Sequence, residues 1–100
     1  MGKVKYANNG VSHLTQRYTP GDGFIMVASY GHFPTVGNGD FMFLSLGIEV
    51  FKVIDQDPMD HHKFIIDPAD APTQVYENET MVELRMTKEL LDAAGDMGEY

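Results

Sequence analysis

The chain has 100 residues, 43% of them hydrophobic and 11% aromatic, which is enough for one domain with a packed core. Its 7 basic and 15 acidic residues give a formal charge of −8, which disfavours binding to nucleic acid or to an anionic membrane surface. The absence of cysteine excludes thiol catalysis, cysteine-ligated zinc and iron–sulfur clusters. No apolar run approaches the ~20 residues of a membrane-spanning helix, and the N-terminus lacks the apolar segment of a signal peptide.

The first predicted segment, residues 1–20, is interpreted as an N-terminal arm or an edge strand. It contains a short possible strand at 4–6 and a mixed pattern over 11–18, and it ends at a Pro-Gly turn. It carries Lys3, Lys5 and Arg17, whereas the rest of the chain is strongly acidic. We therefore predict that the arm lies on an acidic neighbouring subunit. Its apolar contacts would come from Val4, Tyr6, Val11 and Leu14. The alternative is a disordered N-terminus on a monomer.

Residues 21–95 predict a β-barrel domain. Apolar runs predict strands at 24–29, 41–46, 48–54, 63–67 and 81–86, and their connections are too short for helical crossovers, so the strands must pair antiparallel. Prolines at both ends of 67–72 predict a surface loop. Thr87 and Gly95 suit the ends of a capping helix over 88–94, which leaves 96–100 as a tail. The predicted fold is all-β: a small antiparallel barrel or sandwich with one short C-terminal helix.

Several predicted strands are apolar on both faces. We predict Phe24, Phe43, Val50 and Leu84 in the core. Because a small barrel has one interior, we expect that Met42, Leu44, Phe51 and Val53 are not all inside it. Met42 and Phe51 are therefore predicted to contact other subunits, since monomers rarely expose large apolar patches. The alternative is that the helix and the arm cover this outer set.

Residues 55–62 form a polar cluster of aspartates with His61 and His62. An EF-hand loop needs glycine and glutamate where this segment has Asp60 and Ile66. Adjacent histidines on a strand point to opposite faces. We interpret the cluster as a hydrophilic hairpin loop, with a weak ion at an interface as the alternative.

The serines and histidines of the chain form no catalytic pattern. Ser45 is flanked by leucines rather than by the glycines of a nucleophile elbow, and nothing in the sequence places His13 or His32 beside a nucleophile. We predict no catalytic residue, no cofactor and no metal site, and therefore a protein that is not an enzyme.

The order of these signals resembles a small β-domain of tailed-bacteriophage virion proteins, particularly tail-fibre and baseplate attachment modules. The pieces that carry the resemblance are the Leu14-Thr15 pair, the strand that ends in Ser29-Tyr-Gly-His-Phe-Pro34, the Phe41-to-Gly47 strand, the Glu49-to-Val53 strand, and the strand that runs from Met81 to Thr87 before the predicted helix. The Arg-Gly-x-Glu-Gly loop typical of that family is replaced here by residues 67–72, and the Gly-Asp before the last strand reads Asn78-Glu79.

The resemblance implies a non-enzymatic virion component that links or attaches tail-fibre, baseplate or neck parts, located in the virion after assembly in the host cytoplasm. Its partners would be other virion proteins and further copies of itself, most simply as a trimer, without nucleic acid or membrane. One alternative is a capsid decoration (cement) protein. A weaker alternative is a carbohydrate-binding β-module, which would need a row of exposed aromatic side chains.

Overall fold

The computed structural model describes residues 5–6 and 10–85. These residues form six β-strands and one short 3₁₀ turn: β1 Val11–His13, β2 Phe24–Met26, β3 Met42–Leu46, β4 Glu49–Gln56, β5 Lys63–Ile66, the turn Pro68–Asp70, and β6 Met81–Leu84. The all-β class predicted from the sequence is confirmed. The predicted helix over 88–94 and the tail over 96–100 lie outside the described residues. Within the described part of the chain, no helix is long and apolar enough to cross a membrane.

All six strands belong to one antiparallel sheet with the order β1-β6-β3-β4-β5-β2. Its centre is the β3–β4 hairpin, whose five residue pairs run from Met42 opposite Val53 to Leu46 opposite Glu49. The turn of this hairpin begins at Gly47, where φ is +59°, a value that favours glycine at the first position of a two-residue hairpin turn.

The sheet curls into a half-barrel, and its two terminal strands, β1 and β2, come into contact. Leu14 forms an isolated antiparallel bridge with Val27, and both side chains are completely buried. The N–H of Ala28 donates to the carbonyl of His13 at 3.0 Å, and the N–H of Thr15 donates to the carbonyl of Met26 at 3.0 Å. The concave face of the sheet thereby becomes an enclosed core.

The core contains residues that we had placed on an outer surface. Met42, Leu44, Phe51 and Val53 are all at most 1% exposed, so the expectation that one interior could not hold all four was wrong. Because β3 and β4 lie at the middle of the curled sheet, their inner faces meet the inner faces of the other strands. The core cluster is made up of the following side chains: Leu14, Tyr18, Ile25, Val27, Phe33, Val36, Met42, Leu44, Leu46, Phe51, Val53, Phe64, Ile66, Val82 and Leu84.

The predicted orientation of two strands was also wrong. Val50 is 41% exposed and Phe24 is only half-buried, whereas their neighbours Phe51 and Ile25 are inside. In β4 the inward choice of Phe51 and Val53 buries more apolar surface than that of Val50 and Lys52, so the hydrophobic effect favours it. Leu84 is in the core as predicted, whereas Phe43 is buried but lies outside the core cluster, on the face of β3 opposite Met42 and Leu44.

Residues 10–18 belong to the body of the fold. β1 pairs with β6, and Tyr18 exchanges two backbone hydrogen bonds with Tyr76, at 2.8 and 3.0 Å. Gly10 lies so close to β6 that a Cβ added there would be 2.7 Å from Cβ of Leu84. The idea that this part of the chain leaves its own barrel as an arm is therefore wrong for residues 10–18.

The orientation of β4 can be tested with two adjacent substitutions. We expect Phe51→Ala to lower the free energy of unfolding by about 3–5 kcal/mol, because it empties a site at the centre of the core. Val50→Ala, one residue away on the same strand, should cost about 1 kcal/mol or less, because this side chain is partly exposed. Urea unfolding of both variants measures the difference. Equal losses would contradict the orientation of β4.

Candidate interaction surface

The convex side of the sheet carries exposed apolar side chains on β1, β6 and β4, which are three of four adjacent strands. Val11 of β1 pairs with Glu83 of β6, Glu83 pairs with Ser45 of β3, and Ser45 pairs with Val50 of β4. Directly paired residues point to the same side of a sheet, so these four form one row on the convex face. Val11 and Val50 are 40% and 41% exposed. Together with Met81 and Ile48, described next, they form what we call the outer face.

Met81 is the ridge of this outer face. It pairs with His13 on β1 and is 60% exposed, because its neighbour Val82 takes the inward position on β6. Ile48 lies at the tip of the β3–β4 turn and is 93% exposed. Methionine side chains adapt readily to irregular partner surfaces, which suits a contact surface of this kind.

Two shallow hollows lie on either side of Met81. The first, which we call the β1 hollow, has a volume of about 440 Å³ and is lined by Val11, Ser12, His13, Ser29, Glu79 and Met81. The second has a volume of about 270 Å³ and is lined by Ser45, Gly47, Thr80, Met81 and Glu83. The outer face therefore offers both a projecting side chain and adjacent depressions into which a partner could fit.

Most of the predicted interface residues lie elsewhere. Leu14, Met42 and Phe51 are at most 1% exposed within the chain itself, so they cannot supply contact area to another subunit. Tyr6 packs against the core, and Val4 lies outside the described residues. Of the six predicted residues, Val11 is on the outer face.

Sequence reasoning missed Ile48 and Met81, although each carried a signal. Ile48 directly follows the glycine of a two-residue turn, a position that projects from the end of a hairpin. Met81 alternates with Val82 and Leu84, so choosing those two as the inward residues places Met81 outside.

A polar centre lies beside the turn of the β3–β4 hairpin, around the carboxylate of Glu49. The backbone N–H of Thr73 donates to it at 2.9 Å, the hydroxyl of Thr73 at 2.8 Å, the N–H of Gln74 at 3.2 Å and the hydroxyl of Tyr76 at 2.7 Å. The ring of Tyr76 lies over Gly47, where a Cβ would come within 3.1 Å of Cε1. Glu49 thus anchors the loop after the 3₁₀ turn to the hairpin.

These contacts shift the titration of both partners. The N–H of Thr73 and then the hydroxyl of Tyr76 lower the pKa of Glu49 below its ordinary value. Burial and the hydrogen bond to Glu49 raise the pKa of Tyr76 to about 12. Burial, followed by the charges of Asp22 and Glu49, also raises the pKa of Tyr18, whose hydroxyl donates to the carbonyl of Pro72 at 3.0 Å. Every hydrogen bond that Glu49 accepts comes from Thr73, Gln74 or Tyr76 of the same chain. We therefore assign a structural role to this centre.

The polar loop over residues 55–62 uses its aspartates for its own backbone. The N–H of Met59 donates to Oδ1 of Asp57 at 2.8 Å, and the N–H of His62 donates to Oδ1 of Asp60 at 3.1 Å. His62 places Nδ1 2.9 Å from the carbonyl of Val27. Among the described residues, no group of three or more histidines and acidic residues is arranged to hold a metal ion. The geometry agrees with the interpretation of a hydrophilic hairpin loop.

The Glu49 centre predicts how stability depends on pH. Because the pKa of Glu49 is lowered in the folded state, its contribution is present above its unfolded pKa of 4.5 and is lost as pH falls through the folded value. Because the pKa of Tyr76 is raised, its contribution is present below pH 10 and is lost as pH rises towards about 12. We expect Glu49→Gln to flatten the acid limb of a stability–pH curve and Tyr76→Phe to flatten the alkaline limb.

Urea unfolding across the pH range measures both limbs. The control is Glu77→Gln, which removes an exposed carboxylate paired with Arg17 at 3.1 Å and should change the acid limb little. An acid limb in Glu49→Gln as steep as in the unmodified protein would contradict the assignment.

Comparisons with known proteins assign no function to this surface. No family model matches the chain, and no curated protein or solved structure matches it either.

Proposed function

We propose that this chain is a non-enzymatic structural component of a bacteriophage virion, where it links or attaches tail-fibre, baseplate or neck parts through contacts between subunits. The observation that carries the proposal is the outer face, on which Val11 of β1, Met81 of β6 and Val50 of β4 expose apolar side chains, with Ile48 at the adjoining turn. Several exposed apolar side chains on one face of a small domain are typical of a protein–protein contact site. The order of strand and turn motifs that resembles phage attachment modules supports the virion setting.

The proposal includes a homo-oligomer, with a trimer as the simplest arrangement on a fibre or a ring-shaped site, and the virion as the location. Symmetric assemblies repeat one contact surface around an axis, and a rigid sheet face is well suited to this. Within the outer face, β6, β3 and β4 each pair with a strand on both sides, and the loop beside the hairpin turn is anchored by Glu49.

A capsid decoration protein would use the same outer face, so it remains the second candidate. The position of the protein on an imaged particle separates the two. The carbohydrate-binding alternative required a row of exposed aromatic side chains. Phe33, Phe43 and Phe51 are at most 8% exposed and Phe41 is half-buried, so these four do not provide such a row.

The proposal can be tested with two methionines that are both exposed. Met81 is the ridge of the outer face, and Met59, 92% exposed, lies in the loop at the opposite end of β4. We expect Met81→Lys to reduce incorporation into particles by at least about tenfold, because a charge is placed in an apolar contact. Met59→Lys is the matched control and should behave as the unmodified protein.

The measurements are the copy number per purified particle after complementation of a gene deletion, and sedimentation of the isolated protein. Circular dichroism should show both variants folded, since neither side chain is in the core. Normal incorporation of Met81→Lys would overturn the proposal. Deleting the N-terminus is not a suitable test, because β1 is part of the sheet.

A further inference from the structure

The β1 hollow contains the one exposed carboxylate of its turn that has no partner within the described residues. In the segment from Glu77 to Glu83, Glu77 pairs with Arg17 and Glu83 pairs with Arg85, each at 3.1 Å. The carboxylate of Glu79 forms no hydrogen bond and no ion pair with the described part of the chain. Residue Glu79 lines the hollow together with Met81.

The position of Glu79 is imposed by its backbone. Its φ is +71°, a left-handed value that is uncommon for residues other than glycine. The N–H of Glu79 donates to the carbonyl of Leu14 at 2.7 Å, and the hydroxyl of Thr80 donates to the carbonyl of Glu77 at 2.7 Å. The turn therefore holds the backbone of Glu79 at a defined place next to β1.

The lining of the β1 hollow combines this charge with apolar surface. Val11 and Met81 supply aliphatic side chains, and Glu79 supplies a negative charge at the wall. An arginine side chain has the matching character, because its methylene stem packs on apolar surface while its guanidinium group pairs with a carboxylate. The formal charge of −8 on the chain would favour the approach of such a group.

We propose that the β1 hollow binds an arginine side chain on an extended segment of a different virion protein, with Glu79 as the counter-ion; this rests on the outer face being the contact surface of the proposed function. A second copy of the chain is the less suitable donor. Each described lysine and arginine, namely Lys5, Arg17, Lys52, Lys63 and Arg85, already forms an ion pair within its own chain. Because none of these described basic residues is left over for Glu79, another protein is the better donor of the cation.

The test uses the full chain and a pair of short peptides that differ in one charge. The probes are acetyl-Val-Arg-Val-amide and acetyl-Val-citrulline-Val-amide, in which citrulline is an uncharged analogue of arginine. We expect the arginine peptide to give saturable shifts of the backbone amide signals of Val11, His13, Ser29 and Met81 in ¹⁵N NMR spectra. The citrulline peptide should bind about three- to tenfold more weakly, because the charged hydrogen bond is lost.

The protein variants locate the charge. Glu79→Gln should reduce arginine-peptide binding by the same factor, and Glu79→Asn, whose residue type tolerates positive φ, keeps the turn if glutamine disturbs it. Glu77→Gln, two residues away and outside the hollow, is the control and should bind as the unmodified protein. Equal binding of both peptides, or undiminished binding by Glu79→Gln, would overturn the proposal, as would self-association that buries the β1 hollow in the isolated protein.

These results are separable from the test of the function. If Met81→Lys prevents incorporation but the arginine peptide does not bind, the outer face is a contact surface for a partner of different chemistry. If the peptide binds but Met81→Lys is incorporated normally, the hollow is a cation site and the proposed function is wrong.

Discussion

The fold depends on the contact between the two terminal strands of its sheet. β1 and β2 have three residues each, and strands of that length have little stability when one side is unpaired. The bridge between Leu14 and Val27, with its backbone hydrogen bonds, gives each strand a second neighbour. Beyond these backbone hydrogen bonds, the N–H of Ser29 donates to the hydroxyl oxygen of Ser12 at 3.0 Å, so a side chain extends the contact between the two strands. Closure also buries the apolar face of the sheet. The burial of apolar surface is the main favourable contribution to folding.

The closure decides which side chains remain outside, and the outer face follows from it. Once Val82 and Phe51 point into the curled sheet, the alternation along β6 and β4 leaves Met81 and Val50 on the convex side. The position of the exposed apolar row is thus a consequence of the core. The apolar character of Met81 and Val50 is not a consequence of the core, because polar side chains at these exposed positions would leave the fold unchanged. This is why the outer face, rather than the core, carries the functional argument.

The sequence placed several strands within a residue or two, because strong apolar runs bounded by turn residues mark them locally: residues 41–46 correspond to β3 and residues 63–67 to β5. It failed where a choice depends on distant partners. Val50 and Phe51 are both apolar, and only packing against the other strands decides between them. β1 has exposed Val11 and His13 on both sides of Ser12, a pattern that does not distinguish a paired strand from a loose arm. Glu49 and Tyr76 are separated by 27 residues, so their contact was not visible in any local pattern.

The described basic side chains form ion pairs within the fold, and the acidic residues of the chain outnumber the basic ones. All five described basic side chains pair internally, and Lys52 and Lys63 also lie over the rings of Phe41 and Phe24. Exposed pairs of this kind add little stability each, but they remove the positive charges from which a second acidic copy could gain. The remaining negative charge repels like-charged surfaces and favours basic ones. In the proposed binding at the β1 hollow, the apolar residues would provide contact area, while Glu79, which has no counter-ion among the described residues, would favour a partner that brings a positive charge.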